Sequence, residues 1–89
     1  MNSRLTNQIC DEIAMAILKL GGNPETVNLR DVWRVNRVLE FLGADAYLLA
    51  TIGCWGDSLL SDAQVLDHVR GWNRCGSKAL KPVSLIESQ

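Results

Sequence analysis

Cys54 sits in the run Gly53-Cys54-Trp55-Gly56-Asp57, and a cysteine between glycines is a natural place to look for a nucleophile. Such a thiol needs a base, usually histidine, to raise its thiolate fraction. His68 is the sole histidine, and Asp57 is the acid that would orient it. The combination is unspecific, because three cysteines, one histidine and ten acids offer a triad on paper in almost any chain. A buried free cysteine behaves mostly as a small hydrophobe. No catalytic residue is assigned, and the chain is read as a non-enzyme. Cys54, His68 and Cys75 lie 14 and 7 residues apart, with no C-x-x-C or H-x-x-x-H pair to form half a metal site. No metal or cofactor is assigned either. His68 precedes Trp72 by four residues and is expected to stack on it. Gly21-Gly22 follows a helical pattern and has no Walker lysine, so it is not a phosphate loop.

The stretch 28–43 carries more information. At roughly 100° per residue, Val32, Val35, Val38, Leu39 and Leu42 fall on one aliphatic stripe. The opposite side collects Arg30, Trp33, Arg34, Arg37 and Phe41. A surface helix needs one apolar face; a second face of aromatics interleaved with arginines has the composition of interface hot spots. These five residues are therefore the candidate partner-binding site. The competing reading buries Trp33 and Phe41 under the C-terminal segment and pairs the arginines with Asp31, Glu40 and nearby acids.

The elements that must position this face follow from periodicity. Leu5, Ile9, Ile13, Ala16, Ile17 and Leu20 recur at helical spacing and predict a first helix over 4–20, stopped by Gly21-Gly22. Asn23-Pro24 marks a turn, and 25–27 is expected to be an extended connector. Asn28 is the expected N-cap of the second helix, and Gly43 its stop. Asp45 caps a third, buried helix over 46–54, chosen over a strand because no second strand exists to pair with it. Gly53 and Gly56 are expected to break that helix. Ser61 and Gln64 have the S-x-x-Q form of a capping box and start a fourth helix, with Val65, Val69 and Trp72 as its stripe and Gly76 as its end. No internal repeat is evident. The expected fold is all-α, a compact bundle of about four short helices in one domain (1–76), followed by a loosely held tail (77–89).

Composition narrows the function further. A hydrophobic content of 47% with 21% charged residues is that of a globular chain, not a disordered one. The net charge of −1 gives no whole-molecule attraction to nucleic acid or membrane. The most apolar stretch, 46–55, is too short to span a bilayer, and an odd cysteine count without a signal peptide fits a reducing compartment. A cytoplasmic location is expected.

These readings converge on a small protein-binding regulator or inhibitor that occupies a surface of a larger macromolecule, with a homodimer as a further option. Stand-alone chains of this kind include products of phages and mobile elements. The alternative is a small helix-turn-helix-like DNA-binding regulator. It is disfavoured because Asp57, Asp62 and Asp67 would meet the phosphate backbone at the start of the fourth helix.

Overall fold

The computed structural model describes residues 3–76. The 77–89 tail expected to be loosely held lies outside them. Four helices follow one another: α1 (Ser3–Lys19), α2 (Val32–Phe41), α3 (Ala46–Gly56) and α4 (Asp62–Cys75), with a single 3-10 turn at Pro24–Thr26. The all-α expectation is met, and no strand occurs among the described residues. The helix over 46–54 is a helix.

The core is aliphatic and comes from every helix. Ile9, Ile13, Ala16 and Ile17 of α1 meet Val65, Leu66 and Val69 of α4; Val35 and Leu39 of α2 meet Leu48 and Ile52 of α3. A polar seam runs along the α1–α4 contact. Buried Asn73 donates from Nδ2 to the Glu12 carbonyl (2.8 Å) and carboxylate (3.0 Å), and Arg70 reaches the same carboxylate at 3.4 Å. Lys19 donates to the backbone carbonyl of Asn73.

The α3–α4 hairpin is tied at both ends. Trp72 donates its indole N–H to Asp45 Oδ2, and Trp55 donates its own to Asp62 Oδ1, each at 2.9 Å. Contrary to the expectation of none, the sequence behind this carries a short internal repeat. Residues 45–55 and 62–72 share the pattern Asp-Ala-x-(Leu/Val)-Leu-x-x-(Ile/Val)-x-x-Trp. Because α4 folds back on α3, the aspartate at the head of each copy meets the tryptophan at the tail of the other. The equivalent aliphatic positions, Leu48 with Val65 and Ile52 with Val69, are all fully buried.

Three expectations about helix ends need correction. Asn28 does not cap α2; Asp31 does, its side chain accepting from Arg34 N–H at 3.2 Å. Asn28 instead closes a separate turn, accepting from Arg30 N–H at 3.1 Å. A helix begun at Asn28 would carry Leu29 roughly 100° off the buried stripe, whereas the turn lets Leu29 pack on the core. The 25–27 connector is extended only at Val27: Pro24–Thr26 forms the 3-10 turn, capped by Asn23. Gly53 does not break α3, and the helix runs on to end at Gly56; both glycines lie on the side that faces α2. The Ser61–Gln64 capping box forms as expected.

Helices α1, α2 and α3 end in the same Schellman arrangement. The amides of Gly22, Ala44 and Leu59 bond back to Ile17, Leu39 and Cys54 carbonyls at 2.9, 2.9 and 2.8 Å. The residue before each is left-handed: Gly21 at φ 91°, Gly43 at 87° and Ser58 at 60°. Glycine takes that conformation freely, while a residue with Cβ is strained by about 1–2 kcal/mol.

Two outcomes follow for stability. Ser58→Gly relieves that strain and raises stability by about 1 kcal/mol, an upward shift of roughly 4–8 °C in the thermal midpoint for a chain of this size. An unchanged or lowered midpoint would show that Ser58 is not strained. Trp72→Phe removes a charge-assisted bond and lowers stability by about 2 kcal/mol. Its effect should shrink to under half in an Asp45→Asn background, as a double-mutant cycle in urea would read.

Candidate functional site

The outward face of α2 is built by the same helix that supplies two core residues. Val35 and Leu39 are fully buried and Val32 and Leu42 are half-buried against the core. On the other side Trp33, Arg34, Arg37 and Phe41 are all exposed. Trp33 is 53% accessible and Phe41 89%, which is unusual for aromatics in a chain with one small core. Trp33, Arg37 and Phe41 stand at i, i+4 and i+8, a single row about 12 Å long at the α-helical rise.

Arg30 is not part of that row. It sits in the turn before α2, and its Nη2 donates to Asn7 Oδ1 of α1 at 2.6 Å. Arg30 instead lines an open cleft of about 360 Å³ together with Thr6, Val32, Trp55 and Asp62. The helix starts later than the periodicity implies, and that moves Arg30 off the face.

Two residues of this surface escape a reading by hydropathy. Glu40 is exposed on the same side as Arg37. Gly56 is the seat of Trp33: a Cβ added there would stand 2.9 Å from Trp33 Cζ2 and 3.0 Å from Cε2. The indole therefore rests against α3 at Gly56 while about half of the side chain stays in solvent. The signal for this was present as Gly53-x-x-Gly56, two glycines on one helical face where helix propensity disfavours both.

The competing placement of these side chains is not adopted among the described residues. The single ion pair there joins Arg70 to Glu12, and the Asp31 carboxylate is taken up in capping α2. The side chains of Arg34, Arg37 and Glu40 have no hydrogen-bond or ionic partner among the described residues. Cover by the C-terminal segment concerns residues outside them.

The groups considered for chemistry are placed elsewhere. Cys54 is buried in α3, and burial, then the nearby Asp57 carboxylate, pushes its thiol above the usual range. A thiol so placed is less ionised near neutrality. Cys10 is raised chiefly by burial too, and donates to the Leu29 carbonyl. His68 does not stack on Trp72 as expected. Its Nδ1 meets the Tyr47 hydroxyl at 2.5 Å with the rings tilted by 56°, while Trp72 turns to Asp45. The Tyr47 hydroxyl is itself raised by burial first, then by Asp67 and Cys75. Among the described residues no three His, Cys, Asp or Glu side chains converge as metal ligands do, and no helix is long and apolar enough to cross a membrane.

Compared with known families, with curated proteins and with solved structures, the chain matches none. Its functional reading therefore rests on its own residues.

The seating of Trp33 is open to a direct check. Gly56→Ala lifts the indole from α3 and shifts tryptophan emission to the red. That shift should vanish when the same substitution is made in a Trp33→Phe background; a shift that persists would mean another tryptophan reports the change.

Proposed function

We propose that this chain is a small, non-enzymatic, cytoplasmic regulator that acts by laying the outward face of α2 on another protein. One observation supports the reading above others: the row Trp33–Arg37–Phe41 is solvent-facing, although both aromatics would add to a core that is small for independent folding. Tryptophan and arginine are the residue types most enriched among interface hot spots, and phenylalanine is enriched at interfaces generally. Trp33 also rests against α3 at Gly56, so less side-chain freedom is lost when a partner covers it. Arg34 and Arg37 outnumber Glu40 on this face, which favours a partner whose apolar contact is edged by carboxylates.

The reading predicts a separation of binding from folding. In affinity capture from the native host, the wild-type chain should retain a protein partner at fixed stoichiometry. Trp33→Ala should weaken that complex by about 2 kcal/mol, roughly thirtyfold, the level that marks a hot spot. Far-UV circular dichroism should remain that of the wild type. A variant that unfolds would identify Trp33 as core, and retained material that disappears on nuclease treatment would favour the DNA-binding alternative.

A further inference from the structure

The two copies of the short repeat differ at their heads, and the difference falls in the cleft that Arg30 lines. Asp45 commits both carboxylate oxygens, one to the Leu48 amide as the cap of α3 and one to the Trp72 indole. Asp62, its counterpart in the second copy, uses only Oδ1, which accepts from the Trp55 indole. The capping of α4 falls to Ser61, one residue earlier, with Gln64 completing the box. Asp62 Oδ2 is thereby left without a hydrogen-bond or ionic partner among the described residues.

Arg30 lines the same cleft and is held at both ends. Its backbone amide donates to Asn28 Oδ1 at 3.1 Å, and its Nη2 to Asn7 Oδ1 at 2.6 Å. The other guanidinium N–H groups have no partner among the described residues. The two opposite charges form no ion pair with each other. Each is tied to a neutral group on a different helix, Arg30 to Asn7 of α1 and Asp62 to Trp55 of α3. Opposite charges in one cleft attract, and here separate tethers keep them from closing on each other.

The rest of the lining is Thr6 of α1, Val32 of α2 and Trp55 of α3. All four helices and the turn before α2 contribute, so the cleft exists only in the folded chain. Its volume of about 360 Å³ falls within the roughly 300–1,000 Å³ of small-molecule sites, which join an apolar lining to a few fixed polar groups.

We infer that this cleft binds a free α-amino acid with an apolar side chain. A ligand that satisfies these walls carries a negative end, a positive end and an apolar body within a few atoms. The α-carboxylate takes the unpaired N–H groups of Arg30, whose planar fork suits a carboxylate. The α-ammonium takes Asp62 Oδ2, a second charge-assisted bond. The side chain lies against Val32 and the Trp55 ring, where its apolar surface leaves water. A simple anion would be repelled by Asp62 and a simple cation by Arg30. An amino-acid residue inside a polypeptide has neither charged end, so the site selects the free zwitterion over a protein partner.

Nitrogen-edited NMR of the full chain, titrated with L-leucine and with L-phenylalanine up to about 10 mM, tests the assignment. Saturation is expected between about 0.1 and 1 mM for at least one of them, as suits few ligand atoms in an open cleft. The indole N–H signal of Trp55 should move. That of Trp72, bonded to Asp45 at the other end of the hairpin, should not. N-acetyl-L-leucine lacks the positive end and L-leucinamide the negative end; each should bind the wild type at least about tenfold more weakly than L-leucine. Arg30→Gln should erase the difference between L-leucine and L-leucinamide. Asp62→Asn should erase the difference between L-leucine and its N-acetyl form. Asparagine keeps the oxygen that accepts from Trp55, so the fold is retained and circular dichroism checks it. No saturable response to either amino acid, a response that leaves Trp55 unmoved, or equal binding of L-leucine and either blocked form overturns the inference. None of these measurements involves Trp33, so the partner reading stands or falls separately on the Trp33→Ala capture.

Discussion

Two indole–carboxylate bonds hold the frame on which everything else rests. Asp45 with Trp72 and Trp55 with Asp62 close the two ends of the α3–α4 hairpin, so the hairpin is defined by polar contacts at its tips and aliphatic contacts along its length. Each bond pairs an ionised acceptor with a donor that keeps a large apolar ring against the body, which joins orientation to burial. Asp45 does double duty, since its other oxygen accepts from Leu48 N–H and caps α3 at 3.0 Å. Helix start and interhelix contact are therefore set by one carboxylate. With α3 and α4 fixed, α1 has a surface to bury its isoleucines against on α4, and α2 has one for Val35 and Leu39 on α3.

The placement of α2 on α3 then decides what faces outward. Gly56, the last residue of α3, lets the two helices approach, since a Cβ there would stand 2.9 Å from Trp33 and 3.2 Å from Val32, whereas one at Gly53 would make only ordinary contact. The close approach puts the Trp33 indole against Gly56. It leaves Phe41, one turn beyond Arg37, with no surface beneath it. Shared helix endings hold the connections short: three Schellman turns reverse the chain, and two of them use glycine where the backbone is left-handed. The third uses Ser58, in the loop between the two helices of the hairpin, where the indole–carboxylate bonds hold the ends together regardless of local strain.

The α2 face combines three departures from what folding alone would select. Two aromatics are left in solvent, a glycine is kept in a helix to support one of them, and two charges, Arg34 in the first turn of α2 and Glu40 in the last, oppose the helix dipole. Local agreement between propensity, pattern and electrostatics is the norm for a well-folded chain, and departures concentrate where a sequence serves something besides its own fold. The departures here share one surface about 12 Å long. By contrast α4, with its capping box and dipole-matched ends, follows the local rules at both termini.

Much of this protein was determined by sequence alone. Four helices, their order, their buried stripes and the capping box at Ser61 follow from periodicity and end signals, because those act within one or two turns of chain. So does the two-faced character of α2, which needs nothing more than the spacing of its valines, leucines, arginines and aromatics. Tertiary structure decided the rest. It began α2 at Asp31 rather than Asn28, since Leu29 had to reach the core, and that removed Arg30 from the face and tied it to Asn7. It made Gly56 a contact as well as a helix end, since only the approach of α2 gives its missing side chain a use. It paired His68 with Tyr47 and Trp72 with Asp45, partners 21 and 27 residues apart. No local period can report such pairings, because they exist only once α4 has folded back across α3.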